Sequence, residues 1–141
     1  MRRIFWDAML FIYLLEDCPH FTPRVEHLLT RSRKRGDLLF SSCLALGEVM
    51  AGSERLNQPA IANEARDTLT EIGFSFLPFD SGAITIFSEL RGKQRLKVAD
   101  AIHLACAGSA GIDLFLTGDK QLVKLDVPGI QFIAEFNTPI L

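Results

Sequence analysis

The sequence predicts an α/β fold, a three-layer α/β/α arrangement with a central parallel sheet of about five strands. Three observations carry that expectation. Short apolar runs alternate along the chain with stretches of helical periodicity, so strands separated by helices imply right-handed crossovers. The run Ile4-Phe5-Trp6 is apolar without alternation, as a strand covered on both faces requires. The length of 141 residues suits one domain, residues 1–141, long enough to bury roughly two-thirds of its unfolded surface. No internal repeat, low-complexity tract or linker divides it.

In chain order, Arg3 to Trp6 reads as a buried strand and Leu10 to Leu15 as the body of a first helix. Pro23 to Arg35 is a second helix, opened by its proline and stopped by Gly36. Asp37 to Ser41 is a second strand, leading into the helix that carries Glu48 and that is expected to break at Gly52-Ser53. From Pro59 to Ile72, Ile61, Ala65, Leu69 and Ile72 share one helical face, and Gly73 terminates it. Phe74 to Phe79 is a third strand. Asp80 is placed to cap the next helix, whose Ile84, Phe87 and Leu90 are expected on one face. Ala99 to Ala107 is apolar nearly all round and predicts a buried helix, followed by a strand from Leu114 to Thr117. Ile130, Phe132, Ala134 and Phe136 alternate with more polar positions, as in a half-buried edge strand.

Composition narrows the function. The formal net charge of −2 excludes a global basic field, so a nucleic-acid partner would be held by local patches. Cys18, Cys43 and Cys106 are odd in number and lack the spacing of a zinc site or disulfide framework, and they read as reduced thiols of a cytoplasmic protein. Arg2-Arg3 before the apolar stretch Ile4 to Leu15 imitates a secretory signal, but Asp7 interrupts the run and no small-residue cleavage pattern follows. No segment approaches membrane-spanning length.

Four acids stand where such a fold would build a site: Asp7 after Ile4-Phe5-Trp6, Glu48 in Gly47-Glu48-Val49, Asp100 in Val98-Ala99-Asp100-Ala101, and Asp119 after Leu116-Thr117-Gly118. All are flanked by apolar residues, and a carboxylate carried into a packed interior costs several kcal/mol unless a cation meets it. A divalent ion would serve all of them. Asp7 and Asp119 follow strands, at the sheet end where ligands of open α/β sheets bind, so positions distant in sequence converge there. Plainer readings stand beside this one. Asp7 reads equally as a helix N-cap, Glu48 as a solvated helix residue, Asp100 as an acid favoured in a helix's first turn, and Asp119 as a loop residue.

Asp7, Gly47-Glu48-Val49, Asp100-Ala101-Ile102-His103-Leu104-Ala105 and Leu116-Thr117-Gly118-Asp119 together resemble the four motifs of PIN-domain nucleases, particularly the VapC-type toxins of toxin-antitoxin pairs. The resemblance spans residues 3 to 136, and the segment around Asp100 is its most specific piece. It implies a Mg²⁺- or Mn²⁺-dependent endoribonuclease, an antitoxin protein whose segment occupies the metal crevice, and a homodimer. The alternative is a catalytically silent PIN-like module that binds RNA or a protein. One or two ions are compatible with oxygen ligands of this kind, which suit Mg²⁺ and Mn²⁺. Asp7, Glu48 and Asp100 are assigned as core ligands, Asp119 as a peripheral or water-mediated ligand, and Thr117 as a residue that orients them. Ala8 and Met9 follow Asp7 where the family often carries polar residues, a change expected to weaken metal binding.

The remaining polar groups divide. Arg31, Arg33, Lys34 and Arg35 suit the negative pole of a helix end. Arg91, Lys93, Arg95 and Lys97, just before Asp100, read either as phosphate contacts to RNA or as a solvated loop. His103 is expected to be a satisfied core histidine instead of a ligand. Excess apolar residues at Phe11, Ile12, Leu14 and Leu15 exceed one helix face and are available to an interface. No glycine-rich phosphate loop, haloacid-dehalogenase-type second Asp, or Ser/Cys-His nucleophile pair is present.

Overall fold

In the computed structural model, which describes residues 1–55 and 57–139 apart from the side chains of residues 53 and 54, alternate residues of the first strand feed two separate cores. Ile4 and Trp6 of β1 (Arg3–Trp6) pack with Leu114 and Leu116 of β4 (Ile112–Thr117) on one face, whereas Phe5 and Phe115 face the other. The Phe5 and Phe115 rings stack with centroids 4.7 Å apart. All of these side chains except Leu114, at 3%, are wholly inaccessible, and burying each large one stabilises the fold by about 1.5–3 kcal/mol.

Five strands form the sheet in the order β3-β2-β1-β4-β5, every pairing parallel. β2 spans Leu38–Ser42, β3 Phe74–Leu77 and β5 Ile130–Glu135. The first core lies under α1 (Ala8–Leu15), α2 (Thr22–Arg35), α3 (Cys43–Arg55) and α4 (Pro59–Ile72). The second lies under α5 (Ser81–Lys93) and α6 (Val98–Ala110). The three-layer expectation is therefore met. Because β1 is paired to β2 on one side and β4 on the other, strand order reverses between β1 and β4, and the crevice beyond their carboxyl ends is where such sheets bind ligands.

Local chemistry explains most boundaries. Gly36 and Gly73 take left-handed backbone conformations at the ends of α2 and α4, with φ of 72° and 118°. Asp80 caps α5 by accepting the Ala83 N–H at 3.0 Å. α6 is buried as expected, from Ala101 and from His103 through Gly108. Its end approaches the turn before β5 so closely that a Cβ on Gly108 would stand 2.4 Å from the Pro128 carbonyl oxygen. Among the described residues no helix is long and apolar enough to cross a membrane.

Four expectations need correction. α3 does not break at Gly52-Ser53 but runs on to Arg55, because glycine permits the left-handed turn that ends a helix without requiring it, and Gly52 is not among the glycines with positive φ. β3 ends at Leu77, short of Phe79. Ile84 is 53% exposed: the inward side of α5 is formed by buried Ala83 and Leu90 with half-buried Ile86 and Phe87, and α6 approaches α5 at Gly82 and Gly108. Phe132 is 62% exposed, since the helices over β5 cover Ala134 and Phe136 but not its amino end, while Ile130 joins the opposite core.

Candidate metal centre

Asp7 stands at the reversal point of the sheet. Its N–H donates to the Leu116 carbonyl at 2.9 Å, continuing the β1 and β4 ladder by one residue. Extended backbone at Asp7 then starts α1, and its Oδ1 accepts the Ala8 N–H at 2.8 Å. The other oxygen, Oδ2, accepts the Thr117 hydroxyl at 2.8 Å. Asp7 is thus both the helix cap and the acid of the crevice, so the two readings of this residue are not rivals. Thr117 is fully buried, and its Oγ1 also accepts the Asp119 N–H at 3.1 Å. Of the acids that Thr117 is expected to orient, its hydroxyl bonds directly to Asp7.

Glu48 reaches the same end of the sheet from α3, which begins directly after β2. Ser42, the last residue of β2, accepts the Ala45 N–H on Oγ at 2.9 Å and so holds the first turn of α3. Glu48 Oε1 lies 2.8 Å from Nε2 of His103, whose Nδ1 lies 2.6 Å from Ser42 Oγ. The same Nε2 is 4.0 Å from Asp7 Oδ1. His103 is buried and satisfied, as anticipated, but its partner is one of the four acids. That link joins residues 55 positions apart and has no local sequence signature; Ser42 before a helix is a recognisable cap, and His103 three residues after Asp100 is a recognisable helical neighbour.

Asp100 lies in the first turn of α6 and is partly buried. Its carboxyl is held above the ordinary range by burial first, then by the charges of Asp7 and Asp119, with His103 and Lys97 acting in the opposite direction. Asp100 on α6 therefore lies within reach of the charges of Asp7, just after β1, and of Asp119, in the loop after β4. Asp119 is exposed, and its Oδ1 accepts the Gln121 N–H at 2.9 Å, the loop-capping role that the sequence also allows.

One expectation about the acids is corrected. None is carried into the packed interior: Glu48 and Asp119 are exposed, and Asp7 and Asp100 are half-buried at the rim. Apolar neighbours in sequence point inward from elements whose acids point along the crevice, so flanking residues overstate burial. What the structure brings together is Asp7 and Asp119 near Asp100, and Glu48 near Asp7 through His103. All four offer oxygen, the donor type Mg²⁺ and Mn²⁺ take. As the side chains stand, no group of three or more His, Cys, Asp or Glu among the described residues is gathered closely enough to hold an ion, and the Glu48 carboxylate is engaged by His103. The donor set suits a hard divalent cation in its chemistry, while its side chains as they stand are not gathered around one point.

The basic residues before α6 are also placed. Arg91, Lys93, Arg95 and Lys97 are all exposed. Arg91 Nη1 donates to the Leu96 carbonyl at 2.6 Å, which commits it in part to its own loop, while Lys97 is near enough to influence Asp100. Beside Glu48 a groove of about 400 Å³ has a mixed lining, with Ile12, Leu15, Val49 and Ile61 as its apolar part and Glu16, Glu48, Arg55 and Glu64 as its charged part. At the end of α2, Arg35 pairs with Asp37 at 2.9 Å, a structural use remote from the crevice.

The family model described as PIN domain matches residues 4–128 of the chain. No curated protein matches it. Among solved structures, VapBC2 from Rickettsia felis bound to a DNA fragment from its promoter is similar with a TM-score of 0.76 and 12% identity, over 94% of this chain and 97% of that one. A toxin-antitoxin complex from Klebsiella pneumoniae gives a TM-score of 0.65 at 20% identity, covering 90% and 94%. VapBC-5 from Mycobacterium tuberculosis gives 0.63 at 15%, covering 96% and 99%. At such identities the likeness to these structures is one of fold.

Proposed function

Because the chain belongs to the PIN domain family, we propose that residues 1–141 form a single nuclease unit that hydrolyses RNA phosphodiester bonds as a Mg²⁺- or Mn²⁺-dependent endoribonuclease, the toxin of a toxin-antitoxin pair. One observation carries the reading. Asp7, Asp100 and Asp119 come from three elements to the point where strand order reverses, and there the Asp100 carboxyl is pushed up by burial first and then by the other two charges. A fold held only for stability has no reason to gather like charges there. A cation relieves that repulsion.

Asp7, Glu48 and Asp100 would hold one or two ions, with Asp119 a peripheral or water-mediated ligand. Bound Mg²⁺ or Mn²⁺ supplies an activated water and neutralises charge on the phosphate and leaving oxygen. The chain's own residues prepare the site. The Ala8 N–H and the Thr117 hydroxyl fix one oxygen each of Asp7, which restricts its carboxylate to one orientation. Thr117 thereby takes the orienting role that neither Ala8 nor Met9 can fill, a compensation for the departure next to Asp7. Lys97 and Arg95, exposed at the lip of α6, are available to RNA phosphates.

The antitoxin proposal is supported by the groove beside Glu48, whose mixed apolar and charged lining a segment of a partner could enter on its way to the crevice. Of the four residues expected to serve an interface, Leu15 is exposed and supports a homodimer, Ile12 and Leu14 are half-buried, and Phe11 is wholly buried in the core and is withdrawn from it. The second reading, a silent RNA- or protein-binding module, is favoured by the absence, among the described residues, of a group closed tightly enough for an ion. Incubation of a mixed structured RNA with Mn²⁺, with chelator, and with Asp100→Asn separates the two. Metal-dependent cutting lost in the variant supports the nuclease. A folded, antitoxin-free protein that cuts nothing and binds no Mn²⁺ at millimolar concentration supports the silent module.

A further inference from the structure

Resting on the metal reading above, we propose that His103 is a positioning residue: locked by Ser42 as the Nε2–H tautomer, it holds the Glu48 carboxylate on the side of the crevice where Asp7 stands. Glu48 needs such a device. It projects from the second turn of α3 with its side chain 43% exposed, and a free glutamate there would sample many rotamers. His103 does not move with it, being buried on α6 with a side-chain exposure of only 4%.

Hydrogen-bond balance assigns the proton. Ser42 Oγ accepts the Ala45 N–H at 2.9 Å, and its single hydroxyl proton, inside a wholly buried residue, requires an acceptor. His103 Nδ1, 2.6 Å away, is that acceptor, provided it carries a lone pair. Nε2 then carries the proton and donates it to Glu48 Oε1 at 2.8 Å. In this form Nε2 has no lone pair for a cation, so His103 orients a ligand without being one. The bond occupies one acceptor position of the carboxylate and leaves the others open.

Three elements are tied together in this way. The residue that caps α3 sets the tautomer on α6, and His103 of α6, one turn beyond Asp100, in turn holds the acid of α3. Partners of this kind fix the orientation of metal-binding groups, and their loss typically weakens metal affinity about 10 to 100-fold.

Calorimetric Mn²⁺ titration of the metal-free protein, of His103→Leu, of His103→Gln and of Glu48→Gln, with the unfolding temperature of each in chelator, tests the role. His103→Leu is expected to bind Mn²⁺ about 10 to 100-fold more weakly while still folded. His103→Gln, whose side-chain amide returns an N–H near the position of Nε2, is expected to recover most of that loss. Nitrogen NMR of the metal-free protein is expected to show the proton on Nε2, and Ser42→Ala to erode that preference and weaken Mn²⁺ binding. Full Mn²⁺ affinity in folded His103→Leu, or a proton on Nδ1, overturns the role and leaves the metal site standing. Absence of Mn²⁺ binding in the unsubstituted protein overturns the metal reading itself, and the role with it. Should His103→Leu fail to fold, Ser42→Ala decides, since unchanged tautomer and affinity there overturn the proposal.

Discussion

Replacing Glu48 by Gln removes a charge from the crevice while keeping an oxygen that accepts from His103, so it isolates the electrostatic cost of the site. Glu48 Oε1 and Asp7 Oδ1 lie 2.8 and 4.0 Å from the same His103 nitrogen, which puts the two oxygens within about 7 Å of each other. At that separation two negative charges repel by about 2.4 kcal/mol at an effective dielectric of about 20, and by about 0.6 kcal/mol in bulk water. Glu48 is 43% exposed and Asp7 13%, so solvent screening places the repulsion near the lower half of that interval, about 1 kcal/mol. A neutral acceptor makes a weaker bond to His103 than a carboxylate does, which offsets part of the gain. In chelator the variant is therefore expected to be unchanged or up to about 1 kcal/mol more stable, an upward shift of at most about 3 °C for a chain of this size. The assay is thermal unfolding at low salt and again at 1 M salt, where a screening length of about 3 Å should remove any electrostatic gain. Unfolding about 5 °C below the unsubstituted protein at low salt would refute the reasoning and make Glu48 a structural residue.

Four further outcomes follow from the same structure. The raised Asp100 carboxyl favours the protonated form in the folded state; that contribution is complete below the unfolded value near 3.8 and is lost as pH rises through the higher folded value. Metal-free Asp100→Asn is accordingly expected to exceed the unsubstituted protein in stability at neutral pH, with the gap closing on acidification, and a gap that widens instead contradicts the assignment. Burial first, then Asp80 and Cys43, push the Cys106 thiol up to about 11. At pH 8 about 0.1% of it is thiolate, so iodoacetamide should label exposed Cys43 well before Cys106, and equal rates by mass spectrometry would count against the buried placement. Gly108→Ala puts a Cβ 2.4 Å from the Pro128 carbonyl oxygen and should cost about 1–3 kcal/mol in denaturant unfolding, whereas a neutral result would mean the turn before β5 yields freely. Replacing Arg95 and Lys97 by Ala should weaken RNA binding and reduce the salt slope by up to about 2, one for each phosphate no longer neutralised; an unchanged slope removes this patch from the RNA surface.

The fold was legible where one residue type imposed one conformation. Pro59 and Gly73 bracket α4 at the residues the sequence suggests, and Asp80 caps α5, because a ring-locked φ, a left-handed turn and a short acceptor side chain act locally. Gly52 misled because glycine permits a left-handed turn without requiring one. Ile84 and Phe132 misled because apolarity does not say which of two adjacent faces a neighbouring helix will cover. At the site, the four acids and Thr117 stand out in the sequence as candidates, while the particular contacts that hold the acids do not. Thr117 against Asp7 and His103 between Ser42 and Glu48 are meetings made by the sheet, across separations of 110, 61 and 55 residues. Burial was overstated for the acids because apolar flanks describe the element and not the direction in which one side chain leaves it.

The most direct test of the central claim is a crystal structure of the protein grown with Mn²⁺, with anomalous scattering used to locate the ion. The account predicts an anomalous peak in the crevice beyond β1 and β4, with carboxylate oxygens of Asp7, Glu48 and Asp100 at coordination distances of about 2.0–2.2 Å. An ion bound elsewhere, or no ion at millimolar Mn²⁺ with the four acids arranged as they are in the metal-free protein, would contradict it.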